Sequence, residues 1–171
     1  MPHEEQNDAL KRNNKVAVDR YRFAVECLSD RPRIIADFGC GMGYGTYLLL
    51  EGGHDVTGMD NSKDAIHYAQ QNYSCLYDTV DIENIDLSGA IYNTVVCLET
   101  LCHLKKPQEF IDKLTIKELI ISAPIDPDPN DGYIYRLHNL SEKQFKDMLK
   151  DWEIINEFRQ KKYLTIYAKK I

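Results

Sequence analysis

The feature that most constrains this chain is the run Ile34-Ile35-Ala36-Asp37-Phe38-Gly39-Cys40-Gly41-Met42-Gly43-Tyr44-Gly45. An apolar stretch rich in β-branched residues meets one acidic side chain, and a glycine then falls at every second position. The helix-forming run Leu48-Leu49-Leu50-Glu51 follows. This pattern predicts a buried strand, a tight turn and the opening of a helix. Such a turn lets backbone approach a ligand where any Cβ would collide, and it aims helix N-terminal N–H groups at that ligand. The dinucleotide fingerprint G-x-G-x-x-G fails here. Counted from Gly39 its last glycine falls on Tyr44, and counted from Gly41 it falls on Thr46. Asp37, just before the turn, would repel a pyrophosphate and suits a ligand carrying an ammonium group.

The chain has 171 residues, which suits one domain with a substantial core. A polar, flexible tail is expected over residues 1–14 and a single domain over residues 15–171. The net charge of −6, without a strongly basic segment, argues against nucleic acid as the main partner. No apolar run approaches a membrane span, and the first 14 residues lack a signal-peptide core, so a cytoplasmic protein away from membranes is expected. Cys27, Cys40, Cys75, Cys97 and Cys102 form no C-x-x-C pair, which fits reduced thiols. Cys97, Cys102 and His103 lack a matching second pair of ligands, so no metal site is expected.

Taken in order, the pattern predicts a helix over Lys15–Leu28, the first strand over Ile34–Phe38, and a helix over Tyr44–Glu51 stopped by Gly52-Gly53. A second strand follows over His54–Met59 and ends at Asp60, where a nucleoside ribose needs an acceptor for its two hydroxyls. Ser62 caps a helix over residues 63–72. A third strand is expected over Ser74–Val80. Only about eight residues then remain before a fourth strand over Ile91–Leu98, so the intervening helix is very short or absent. Pro107 opens a helix to Leu114, and Leu119–Ala123 makes a fifth strand. Residues 124–138, with three prolines, read as a loop and, from their place beside the carboxyl edge, as a substrate lid. Ser141 caps a helix over Glu142–Lys150, and Trp152–Phe158 with Tyr163–Lys169 read as a hairpin.

The turn D-x-G-x-G-x-G resembles motif I of the class I methyltransferases that use S-adenosyl-L-methionine. Arg20-Tyr21-Arg22-Phe23-Ala24 is similar to a segment found in one branch of them, several of which act on sugars. Glu99-Thr100-Leu101-Cys102-His103-Leu104 resembles the family's E-T-L-E-H-L, with Cys102 in place of a carboxylate. His138-Asn139-Leu140-Ser141-Glu142 matches a His shortly before a capped helix. The resemblance covers residues 18 to 170 and implies an α/β, Rossmann-like sheet, seven-stranded and mostly parallel, with an antiparallel C-terminal hairpin. The chain departs from the family where Leu114-Thr115-Ile116-Lys117-Glu118 replaces the usual Lys-Pro-Gly-Gly turn.

The resemblance implies S-adenosyl-L-methionine as cofactor and a set of roles. Gly39, Gly41 and Gly43 would admit its methionine part, and Asp37 would hold its ammonium directly or through water. Asp60, with Asn61 beside it, would take the ribose. Asp81 would meet the adenine amino group, and Ile82 would cover the ring. Tyr21 or Tyr44 would face the sulfonium, and Leu98 and Glu99 would complete the pocket. The implied partner is a small-molecule methyl acceptor, with a sugar hydroxyl as the expectation. A hydroxyl acceptor benefits from a base, for which His103 and His138 are the candidates. The alternative is a protein that binds the nucleoside without chemistry, as a sensor or assembly subunit. No oligomeric state is read from the sequence.

Overall fold

The computed structural model describes residues 15–87, 89–127 and 136–171. In chain order these fold as α1 (Lys15–Cys27), β1 (Ile34–Phe38), α2 (Tyr44–Glu51), β2 (Asp55–Asp60), α3 (Lys63–Asn72), β3 (Leu76–Thr79) and β4 (Thr94–Cys97). A 3₁₀ turn (Leu101–His103), α4 (Pro107–Asp112), β5 (Glu118–Pro124), α5 (Glu142–Asp147), β6 (Trp152–Gln160) and β7 (Tyr163–Lys170) complete them.

The strands form one sheet in the order β3-β2-β1-β4-β5-β7-β6. Strands β1 to β5 pair in parallel. β7 runs against both β5 and β6. The expected α/β, mostly parallel seven-stranded sheet with an antiparallel end is therefore present. In the central strands consecutive residues pack on opposite faces, as a pleated strand requires. Ala36, Val95, Cys97, Leu119 and Ile121 join Phe110 and Ile111 of α4 and Phe145 of α5. Ile35, Val96 and Ile120 meet Tyr21, Phe23 and Ala24 of α1 and Leu49 of α2. The order of strands changes direction between β1 and β4, so a crevice opens at their carboxyl ends.

Several expected boundaries shift. The fourth strand is Thr94–Cys97 rather than Ile91–Leu98. Ile91 is 74% exposed, and Asn93 ends the ladder by tying strands together: its side-chain oxygen accepts from Ile34 N–H and its carbonyl from Lys117 N–H. The third strand shortens to Leu76–Thr79, and the α4 and α5 helices stop at Asp112 and Asp147. Between β3 and β4 the described residues contain no helix. The lid reading of residues 124–138 falls largely on 128–135, which lie outside the described residues.

At the amino-terminal edge, away from the crevice, Arg33 is fully buried and donates from Nε to Glu118 Oε2 at 2.6 Å. Tyr167 donates to Glu118 Oε1 at 2.8 Å. This pair joins the foot of β1 to the foot of β5 across β4.

Candidate functional site

A cavity of about 800 Å³ opens at the carboxyl ends of the parallel strands, within the usual range for a small-molecule site. One wall is the glycine turn, with Gly39, Cys40, Gly41 and Met42. α1 contributes Ala17, Arg20 and Tyr21, which share one face of the helix at i, i+3 and i+4. β2 and the segment after β3 add Asp60, Asn61, Asp81, Ile82 and Glu83. The segment after β4 supplies Leu98, Glu99, Thr100, Cys102 and His103. Of the expected site residues, twelve of fourteen were assigned to a cofactor, and most of these do converge here.

Asp60 shows why its carboxylate is fixed. Oδ2 accepts from Gly41 N–H at 2.9 Å and Oδ1 from Ser62 N–H at 2.9 Å. Each oxygen keeps a lone pair for a further donor, so the group is oriented before any ligand arrives. Asp81 is held in the same manner, accepting from Glu83 N–H at 3.1 Å and from Asn84 Nδ2 at 2.7 Å. Ile82, only 6% exposed, presents an apolar surface beside it.

Two expected contacts are corrected. Asp37 does not line the cavity: it is wholly buried and accepts from Thr46 Oγ1 at 2.7 Å and from Tyr21 Oη at 3.1 and 3.2 Å. Burial pushes its carboxyl up to about 7, against the hydrogen bonds from Thr46 and Tyr21, and nearby Asp60 adds to the rise. Its reach to the cavity is through the Tyr21 ring, which packs edge-on against Tyr44 at 5.8 Å. The side chain that meets the cavity at this point is Tyr21 rather than the Asp37 carboxyl.

Gly43 is the second correction. A Cβ there would lie 2.6 Å from Ala69 Cβ and 2.7 Å from Tyr77 Oη, so this glycine makes room for the protein's own side chains. Gly39 makes room for Thr100, whose Oγ1 would stand 1.9 Å from an added Cβ. Gly41 alone of the three opens on empty space, with φ +53° and nothing within 4 Å.

The two histidines separate. His103 lines the cavity. His138 is not among the lining residues, and its Nε2–H donates to the Leu104 carbonyl at 2.8 Å, which anchors the segment before α5 to the 3₁₀ turn. The geometric case for a base rests on His103.

Sequence reasoning named Glu99 but left out the cation it meets, Arg20, and several other wall residues. Glu99 adopts φ +56°, a costly conformation outside glycine, and its N–H is held by Ser122 Oγ at 2.8 Å. Its carboxylate thereby meets the buried Arg20 at 2.6 Å. The Arg20 guanidinium also stacks over Tyr163 at 4.6 Å, while its Nε has no hydrogen-bond partner. The i, i+3, i+4 spacing of Ala17, Arg20 and Tyr21 was the available signal for Arg20. Nothing in the sequence announced Arg136, Lys162 and Tyr163, which the fold carries in from far along the chain. Among the described residues no cluster of three or more His, Cys, Asp or Glu is placed to hold a metal ion, and no helix is long and apolar enough to cross a membrane.

A profile described as "Methyltransferase domain" matches residues 35–115, the strand, glycine turn and crevice just described. Over that stretch the chain is similar to the methyltransferase-domain family, which supports a class I S-adenosyl-L-methionine methyltransferase. A relative, the ubiquinone biosynthesis O-methyltransferase of Coxiella burnetii, is 29% identical over 97 residues, covering 54% of this chain and 42% of that one. The chain thus spans less than half the length of that relative. Magnesium protoporphyrin IX methyltransferase from Synechocystis, solved with bound SAH, superposes with a TM-score of 0.74 at 18% identity, covering 91% of this chain and 84% of that one. Burkholderia thailandensis 1,6-didemethyltoxoflavin-N1-methyltransferase gives a TM-score of 0.73 at 18% identity, covering 98% and 83%. At those identities the likeness is one of fold.

Proposed function

We propose that this chain is an S-adenosyl-L-methionine-dependent methyltransferase acting on a small molecule. The observation that carries the reading is the pairing of Gly41, open to the cavity, with Asp60, whose two oxygens are already aligned by the amides of Gly41 and Ser62. That cradle fits a nucleoside: Asp60 would take the ribose hydroxyls, and Asp81 with Ile82 the base. Tyr21 and Tyr44 would present aromatic faces to a sulfonium, a contact of roughly 1 kcal/mol. The cofactor supplies a methyl group already activated by the positive charge on its sulfur. The protein's work is then positioning, for which effective molarities of about 10⁵ M or more are available.

An oxygen acceptor is favoured by the name of the Coxiella relative. A sugar hydroxyl rests on the segment Arg20–Ala24 alone. With a hydroxyl acceptor His103 is the base, and His103→Gln should lower kcat by about 10² to 10⁴-fold while leaving nucleoside affinity unchanged.

Calorimetric titration with S-adenosyl-L-methionine, S-adenosylhomocysteine and NAD is the direct test. The two sulfur nucleosides should bind and NAD should not. Failure of S-adenosylhomocysteine to bind at millimolar concentration, or equal affinity for NAD, would sink the proposal. Binding without transfer to any hydroxyl, carboxyl or nitrogen acceptor offered would favour the non-catalytic alternative.

A further inference from the structure

No helix packs the described residues between β3 and β4, and a loop as long as 80–93 in a compact domain calls for outside support or a function. The loop carries Asp81, Ile82 and Glu83 into the cavity wall. Two side chains fasten it along α4. Glu83 Oε1 accepts from the N–H groups of Lys105 and Lys106, at 2.7 and 3.1 Å, just ahead of the helix. Lys113, just past its end, donates from Nζ to the carbonyls of Glu83 and, at 3.4 Å, Ile82. The two anchors reach different things. Lys113 ties the loop to the helix, whereas Glu83 ties it to the segment that leaves His103, which stands two residues before Lys105. That segment is pinned in turn: His103 N–H donates to the Thr100 carbonyl at 2.9 Å, and His138 Nε2–H to the Leu104 carbonyl at 2.8 Å. A carboxylate on two successive amides makes charge-assisted bonds, about twice as strong as neutral ones. It grips backbone and not a flexible side chain, for the Lys106 ammonium turns to Glu109 at 2.9 Å.

We propose that Glu83 is a positioning residue for methyl transfer, clasping the loop that bears Asp81 and Ile82 to the segment that bears His103. The inference rests on the reading of Asp81 and Ile82 as the seat of the nucleoside base and of His103 as the general base. On that reading the methyl donor and the proton acceptor are held by separate segments, and a misplacement of about 1 Å between reacting groups can cost about 10²-fold in rate. The clasp registers one segment against the other. Filling the nucleoside end steadies the loop, and Glu83 passes that order on to the His103 segment. It acts through the two segments and on no reacting atom.

The test is amide hydrogen exchange over 81–84 and 103–106, measured on the full chain with and without saturating S-adenosylhomocysteine, whose binding is checked by calorimetry. In the unaltered protein the nucleoside should slow exchange in both segments by at least about threefold. In Glu83→Ala the slowing should survive over 81–84 and vanish over 103–106. A merely structural loss would speed exchange equally in the free and bound states and leave that ratio unmoved. Glu83→Gln, whose amide oxygen can still accept from the same two N–H groups, should restore the slowing. Far-ultraviolet circular dichroism checks folding, and Glu83→Asp, one methylene too short for the clasp, takes the place of Glu83→Ala should that variant not fold. Slowing over 103–106 that persists without the Glu83 carboxylate overturns the proposal. So does its absence from the unaltered protein when S-adenosylhomocysteine binds, a result that leaves the nucleoside reading standing. Failure of S-adenosylhomocysteine to bind the unaltered protein is a distinct outcome, which removes the nucleoside reading and the clasp's role with it.

Discussion

Gly45→Ala should be among the most damaging small substitutions in this protein, although Gly45 has no unusual backbone. An added Cβ would stand 2.1 Å from two ring atoms of Tyr21. Carbon atoms in contact sit about 3.5–4.0 Å apart, so the ring must retreat by at least about 1.4 Å. Tyr21 is buried and anchored by its hydroxyl to Asp37 at 3.1 and 3.2 Å, so it cannot retreat without releasing that carboxyl. Overpacking costs about 1–3 kcal/mol, and stripping a donor from a buried carboxyl about 1.5–3 kcal/mol more. A total of about 2.5–6 kcal/mol is a large share of the stability of an ordinary domain, about 5–15 kcal/mol. In urea, with a slope near about 2 kcal/mol/M, the midpoint should fall by about 2 M. The decisive measurement is a double-mutant cycle with Tyr21→Ala, read by circular dichroism. Once the ring is gone, Gly45→Ala should cost nothing, giving a coupling as large as the single-mutant penalty. Additive penalties, or a single-mutant loss below about 1 kcal/mol, would refute the reasoning.

Gly41→Ala should behave in the opposite way, losing only about 1–2 kcal/mol of stability through its left-handed backbone while weakening S-adenosylhomocysteine at least tenfold by calorimetry, because its Cβ enters open cavity. Asp60→Asn should weaken the same ligand by about 1.5–3 kcal/mol with a small change in urea midpoint, since one amide oxygen still serves the turn. Two buried carboxyls should shift stability with pH in opposite senses, both measurable by urea unfolding from pH 2 to 9. Burial favours the neutral form of Glu118, yet hydrogen bonds from Arg33 and Tyr167 hold it at about 2, so its contribution is present above the ordinary carboxylate range and is lost as pH falls toward 2. Glu118→Gln should flatten that acid limb. Asp37, raised to about 7 by burial, stabilises most below the ordinary carboxylate range, and that share is lost as pH rises through about 7, by at most about 1.4 kcal/mol per unit. Asp37→Asn should remove that decline between the ordinary carboxylate range and about 7.

The parts of this structure that were legible are those decided within a few residues. β1, the turn and α2 were read to the residue, because an apolar run, spaced glycines and a double-glycine stop leave little choice. Ser62 and Ser141 were legible as caps for the same reason, and both accept from a helix N–H. Strand ends were read too long where hydrophobicity and burial part company, as at Ile91. The reason for each glycine was not legible at all. Gly39 answers to Thr100, Gly43 to Tyr77 and Gly45 to Tyr21, partners that only the fold brings near. Asp37 was read as a ligand contact for the same reason: its acidity is visible in the sequence, and its complete burial is not.

The same distinction explains why one end of the cavity was easier to read than the other. The stretch matched by the family profile, residues 35–115, carries the glycine turn, Asp60, Asp81 and the segment through His103. The remaining wall comes from outside it: Arg20 and Tyr21 before, and Pro124, Arg136, Lys162 and Tyr163 after. What brings the last of these into place is the direction of β7. Running against β5, with Tyr163 opposite Pro124, it delivers the β6–β7 turn to the edge where the parallel strands end. Were β7 parallel, that turn would lie at the opposite edge, beside Arg33 and Glu118, and Lys162 could not reach the cavity. One antiparallel strand therefore completes a site whose other half follows from the parallel strands alone.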